Sequence, residues 1–261
     1  MRAVRLAAAA LVLAVLPVAA VRGQDLQGHV QAGDAARCRR DAEEALEHFR
    51  AALAVDSMSY DALWRTSQIL VDIGKQLPNA QRARRDSLYA EGLELARRAV
   101  RVNANGADGH FMVAVATGRA ALTKGPRDRV RYANVVRESA LRAIELEARH
   151  DGAMHVMGRW NAEIQRLPGM TKFFAKTFLG ASIFNEASWE SAVNYFTQAI
   201  GVVPENIYNH LDLAEALVDA DRREEAIPHL ERVAQLELGC DPADATYQQQ
   251  AAALLERLRR P

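Results

Sequence analysis

Ala192, Phe196 and Ala199 stand at spacings of four and three. The same offsets recur 34 residues later as Ala226, Leu230 and Val233. Small, large, small at those spacings falls on one face of a helix. There the small side chains let a second helix approach and the large one fills the space between. Pro204 lacks an N–H and ends the first of these helices five residues after Ala199. The next segment, "IYNHLDLAEALVDADRR", is again apolar with helical period. A helix–turn–helix unit that repeats cannot bury its apolar stripe alone, so the chain is expected to stack such units into a solenoid.

The pattern extends upstream as Ala45, Phe49 and Ala52, then Gly92, Ala96 and Ala99, then Val136, Ala140 and Ala143. The successive intervals are 47, 44, 56 and 34 residues. The surplus falls between the two helices of a pair, in "KQLPNAQRARRDS", "LTKGPRDRVRY" and "RLPGMTKFFAKTFLGASIF". The first helices of the pairs are "YDALWRTSQILVDIG", "ADGHFMVAVATGRAA", "DGAMHVMGRWNAEI" and "IYNHLDLAEALVDA". With 49% apolar but only 6% aromatic residues, much of the apolar content is alanine, which suits closely approaching helices.

This 34-residue unit resembles the tetratricopeptide repeat, with Met157–Gly158 where that repeat has Leu-Gly and Pro204 at its closing proline. "HVMGRW", a long hydrophobic insert, "WESAVNYFTQAI" and "NHLDLAEALVDADRREEAIPHLERV" together resemble the regulator-of-microtubule-dynamics family over roughly residues 45 to 236. The resemblances imply an all-α, tetratricopeptide-like right-handed superhelix of about four helix pairs that acts by binding. For eukaryotic members of the second family they imply association with tubulin. In the tetratricopeptide register the first helix of each pair faces the concave side. That places Trp64 and Gln68, Phe111 and Val115, His155 and Arg159, and Tyr208, Leu211 and Glu215 on the candidate partner-binding face. Aromatic and arginine side chains there suit a protein or peptide partner.

The N-terminus carries Arg2 and Arg5, an apolar stretch from Leu6 to Leu16, and small residues at Ala19, Ala20 and Gly23. That order is the grammar of a secretory signal peptide over residues 1–23. The 16 apolar residues from Leu6 to Val21 fall short of the roughly 20 that a spanning helix needs. Export to the periplasm or medium is therefore expected, with an uncleaved N-terminal anchor as the alternative; such an N-terminus departs from a cytosolic microtubule role. Residues 24–36 read as an arm or a shortened first helix, 37–239 as the repeat array, and 240–261 as a capping helix. Cys38 and Cys240 lie at opposite ends of the chain. A linear array would hold them apart, so two unpaired thiols are expected.

The sequence offers no reaction centre. His150 and His155 are five apart, about 140° around a helix, whereas helical zinc ligands converge at i and i+4. There is no phosphate loop or nucleophile elbow, and we expect no metal, no cofactor and no enzymatic activity. Formal charge is zero and no basic block tracks a phosphate backbone, which argues against nucleic acid. His155, Arg159 and Glu163 form an i, i+4, i+8 polar stripe that either lines the groove or knits repeats together. The insert over 167–184, with Phe173, Phe174, Phe178 and Leu179 beside Lys172 and Lys176, reads as an extra helix folded onto the solenoid, with a membrane contact as the alternative. The packing register is testable: Ala192→Leu and Ala226→Leu should each cost about 1–3 kcal/mol by overpacking. Glu190→Leu should stay within about 0.5 kcal/mol, all three read as melting temperatures.

Overall fold

The computed structural model describes residues 18–121, 125–169, 171 and 182–260. Among them the chain is helical without strands. The helices are α1 (Val18–Cys38), α2 (Ala42–Val55), α3 (Tyr60–Gln76), α4 (Arg82–Val102), α5 (Ala107–Ala121) and α6 (Pro126–Leu146). They continue with α7 (Asp151–Arg166), α8 (Trp189–Val202), α9 (Ile207–Asp219), α10 (Arg223–Val233) and α11 (Asp244–Arg259). Each odd-numbered helix from α1 to α9 packs along the next, and α11 closes the end against α9 and α10. Side chains cap several starts: Asp41, Ser59, Ser188 and Asn206 each accept a backbone N–H two or three residues into their helix. His150 does the same through its ring for α7.

The repeated triads form the seams. Ala45, Phe49, Ala52, Ala96, Ala99, Ala140, Ala143, Ala192, Phe196, Ala199, Ala226, Leu230 and Val233 are all at most 1% exposed. Val136 is half-buried beside them. Close approach is imposed from the other helix of the pair. A Cβ on Gly158 of α7 would lie 2.6 Å from the Phe196 ring, and one on Gly33 of α1 would lie 2.5 Å from the Phe49 ring. The glycine is where the aromatic ring rests.

Residues 24–36 lie inside α1, which packs against α2. The first pair repeats the last without a gap at a shift of 181 residues: 33 to 214, 45 to 226, 49 to 230 and 52 to 233. The turns match too. Arg40 and Asp221 both adopt the left-handed conformation, at φ 64 and 60. Each follows a helix whose end is tied by a six-to-one bond, Asp41 N to Ala36 O and Arg222 N to Leu217 O. Even a histidine pair recurs. His29 and His48 face each other with Nδ1 atoms 3.4 Å apart, and His210 and His229 do so at 3.1 Å.

The expectation of two free thiols is overturned. Cys38 and Cys240 form a disulfide across a sequence separation of 202 residues. The array curves until its ends meet, and the separation that a straight solenoid would impose does not exist. Lys75, at the end of α3, sits beside the junction, 2.8 Å from Asp72 and 3.4 Å from Asp241. No helix among the described residues is long and apolar enough to cross a membrane. The apolar stretch Leu6–Leu16 and the insert's Lys172, Phe173, Phe174, Lys176, Phe178 and Leu179 lie outside the described residues. The described end of the insert packs on α7, where Phe184 meets the Trp160 ring edge-on at 6.4 Å, and just beyond it Glu186 pairs with Arg137 of α6.

Two predictions follow from closure and from the buried histidines. Removing the crosslink in Cys38→Ser/Cys240→Ser should cost about 2–4 kcal/mol, read as a lower denaturant midpoint with helical circular dichroism retained. Burial holds His210 and His229 below the usual imidazole value, His210 also through Arg232 and His229 through His210. The unfolded chain then binds more protons than the folded one. Their contribution is complete above about pH 6.5 and is lost as pH falls towards the lowered folded values. The melting temperature should drop over that interval, and the drop should shrink in His229→Gln.

Candidate functional site

The inner face of the closed array bounds a chamber of about 1100 Å³. One side is built by the first surplus segment: Lys75 and Gln76 at the end of α3, Asn79, then Arg82, Arg85, Asp86 and Tyr89 on α4. Arg119 of α5 and Arg129 of α6 continue it, and α7 adds Arg159. Tyr208, Asp212 and Glu215 come from α9. The C-terminal segment completes the wall with Pro242, Ala243, Thr246, Tyr247 and Gln250. Residues inserted between the helices of a pair extend α4 and α6 to 21 residues each, against 14 in α2 and α8. The extra turns of α4 supply two of the basic side chains on the wall, Arg82 and Arg85. Surplus from the first two of these segments, which left the seams undisturbed, is thus placed at the cavity.

Between α7 and α9 runs a buried polar network. His155 Nδ1 donates to Asn209 Oδ1 at 2.6 Å, and its Nε2 lies 3.2 Å from Asp212 Oδ2. Arg159 donates to Tyr208 Oη at 2.6 Å and pairs with Asp212 at 3.0 Å, while Glu163 sits 3.3 Å from its other nitrogen. Burial alone would raise the Asp212 carboxyl, but the Arg159 guanidinium and His155 hold it below the usual carboxylate value. Glu215 is pushed upward by burial and by the charge of Asp212. Tyr208 is pushed upward by the same two causes. Its ring stacks on Tyr247 of α11 at 4.3 Å and 8°.

Of the residues assigned to the concave face, Arg159, Tyr208 and Glu215 line the chamber. Trp64, Gln68 and Phe111 do not. Trp64 is half-buried against the α2–α5 core and donates to Asp61 Oδ1 at 3.3 Å. Gln68 is half-buried on α3. Phe111 leans on the His150 ring at 4.8 Å and on Ala143 and Ala153. Leu211 is corrected: it is 1% exposed in the core of the last pairs, so no partner can reach it. His155 is likewise corrected. It is 8% exposed, and it ties α7 to α9 rather than facing a ligand. Buried polar residues at concave-register positions bridge neighbouring pairs, which the one-dimensional register cannot distinguish from a groove. Among the described residues no group of three or more His, Cys, Asp or Glu side chains could hold a metal ion.

Arg119 and Tyr247 escaped the sequence reading. Arg119 continues the Phe111–Val115 stripe by one more step of four, a signal that was present. Tyr247 lies on the capping helix, whose packing on α9 sets its ring against Tyr208, a contact that no spacing in the sequence marks. The Arg159–Asp212 pair yields a stability prediction. Arg159→Ala should cost about 3 kcal/mol, because Asp212, 5% exposed, loses its main counter-charge. Glu163→Ala, at an exposed partner, should cost less than about 1 kcal/mol. The contribution of Asp212 is complete above about pH 3.9 and is lost as pH falls through its lowered folded value. Thermal melts of both variants at neutral and acidic pH measure these effects.

The family model described as regulator of microtubule dynamics protein 1-3 matches residues 30–259. The Bos taurus regulator of microtubule dynamics protein 1 is 27% identical over 154 residues, covering 59% of this chain and 47% of its own. The Homo sapiens protein of that name is 26% identical, covering 56% and 45%. This chain therefore spans about half the length of the relatives it matches. In three dimensions a thermophilic tetratricopeptide-repeat protein of Thermus thermophilus aligns with a TM-score of 0.64 at 16% identity, covering 88% of this chain and 99% of its own. That likeness speaks for the fold alone: an all-α tetratricopeptide-like solenoid. By a match that spans the repeat array from α1 to α11, the chain belongs to the regulator of microtubule dynamics protein 1-3 family.

Proposed function

We propose that this protein is a non-catalytic scaffold that holds a segment of a partner protein or peptide in its concave chamber. The observation that carries the reading is the lining: arginines and tyrosines from α4, α5, α6, α7, α9 and α11 converge on one space. Arginine and tyrosine are the side chains that dominate binding hot spots. A segment seated there would touch every pair from the second to the fifth at once. Arg159, Tyr208 and Glu215 are the proposed contacts retained from the concave register. No cofactor enters this reading.

Export to the periplasm or medium belongs to the same proposal. It is supported by the positive and apolar N-terminal pattern and by the Cys38–Cys240 crosslink, which an oxidising compartment maintains. Cleavage after Gly23 would keep Val30, Gly33 and Ala36, the residues through which α1 meets the array. An uncleaved anchor is the second reading, favoured by the apolar run Leu6–Val21. Mass spectrometry of the mature N-terminus separates them: a start at or near Gln24 is expected, and an intact Met1 would overturn export by cleavage.

The binding proposal is tested with a photocrosslinking residue at Gln250 on the chamber wall, compared with one at the exposed Glu190. Candidate extracts and polymerised microtubules form separate arms, since the relatives are named for microtubule dynamics. A defined partner crosslinked from Gln250 and not from Glu190 is expected. Equal yields from both positions, or none from Gln250, would contradict chamber binding.

A further inference from the structure

The charges around the chamber do not cancel. Asp212 is taken by Arg159 at 3.0 Å, Asp86 by Arg82 at 3.7 Å and Glu215 by Arg166 at 3.8 Å. Lys75 is already held between Asp72 and Asp241. Arg129 makes an interaction of its own, and two cations remain without a carboxylate within 4.0 Å among the described residues. Among these residues Arg85 reaches the Asn79 side-chain oxygen alone, at 3.3 Å, and Arg119 forms no ion pair or hydrogen bond with any of them. Arg119 is half-buried, so its charge is screened less than one on the open surface.

Tyr89, Tyr208 and Tyr247 line the same chamber. Tyr208 Oη accepts from Arg159, which leaves its own proton to donate elsewhere. The hydroxyls of Tyr89 and Tyr247 have no hydrogen-bond partner among the described residues. Burial raises all three phenols above their ordinary value, and the charge of Arg119 opposes that rise in each. At neutral pH they are protonated donors that cannot neutralise a guanidinium. A fork of guanidinium N–H groups with phenol O–H donors beside it is complementary to an oxygen anion and repels a cation.

We infer that the chamber is an oxyanion-binding site centred on Arg119, with the hydroxyls of Tyr89, Tyr208 and Tyr247 as supporting donors and a carboxylate or phosphate group as the ligand's recognised part. The inference rests on the chamber being the binding surface and adds the chemistry of what it holds. An acidic peptide and a small phosphorylated molecule share that chemistry. The separate arms of the experiment tell them apart.

The experiment titrates the oxidised full chain at low ionic strength with inorganic phosphate and, separately, with a fluorescein-labelled peptide of alternating Asp and Gly. The same peptide with Lys for Asp serves as control. Each titration is repeated on Arg119→Gln, Arg119→Lys and Tyr247→Phe. One anionic probe should bind the parent chain, weaken at least tenfold in Arg119→Gln, recover in part in Arg119→Lys, and weaken less in Tyr247→Phe. Without probe, Arg119→Gln should melt at or above the parent temperature, since it removes an unpaired charge; a structural arginine would give a lower one. No binding of either anion, preference for the Lys peptide, or undiminished binding by Arg119→Gln overturns the assignment. If the Gln250 crosslink forms while no anion binds, the oxyanion site fails and the partner-binding chamber stands. If an anion binds through Arg119 while the crosslink is absent, the reverse holds.

Discussion

The seam between paired helices is the contact on which the rest depends. A glycine or alanine on one helix receives a phenylalanine or leucine from the other, as Gly158 does Phe196 and Gly33 does Phe49. Alanines to either side of the large residue are fully buried and let the backbones approach. Such a contact tolerates little change in volume, so it sets the same relation between helices wherever it recurs. Stacking pairs that share one relation curves the array. Here the curvature brings Cys38 to Cys240 and converts two chain ends into one junction.

Closure changes what the concave side is. In an open solenoid it would be a groove; here the C-terminal segment crosses it and Tyr247 stacks on Tyr208. The inserted residues point the same way. They leave the seams untouched, and they lengthen α4 and α6 so that Arg82, Arg85, Tyr89 and Arg129 reach the cavity wall. Regular units thus build the frame, and irregular ones furnish its interior. The first and last pairs, which carry no insert, stay alike down to their left-handed turn residues and facing histidines.

The interior also divides its charges between two tasks. Arg159 and Asp212 neutralise one another and, with His155, hold α7 to α9. Lys75 and its two aspartates do the same beside the disulfide. Among the described residues Arg119 and Arg85 have no such carboxylate, and an uncompensated cation in a confined space costs stability unless something else is gained. The proposed oxyanion site accounts for that cost through binding.

Helix order, the seam residues and the repeat family were legible from the sequence, because seams are made within a pair by residues a fixed number of steps apart. Even Arg119 was within reach of that periodicity. The disulfide, the burial of Leu211 and His155, and the Tyr208–Tyr247 wall were not legible. The disulfide depends on how small rotations add over five pairs, a sum over the whole chain that no local spacing encodes, and the others depend on how neighbouring pairs and the last helix pack on one another. Local spacing therefore determined which surfaces meet within a pair, and tertiary structure alone decided that the two ends meet and that the space between them is a chamber.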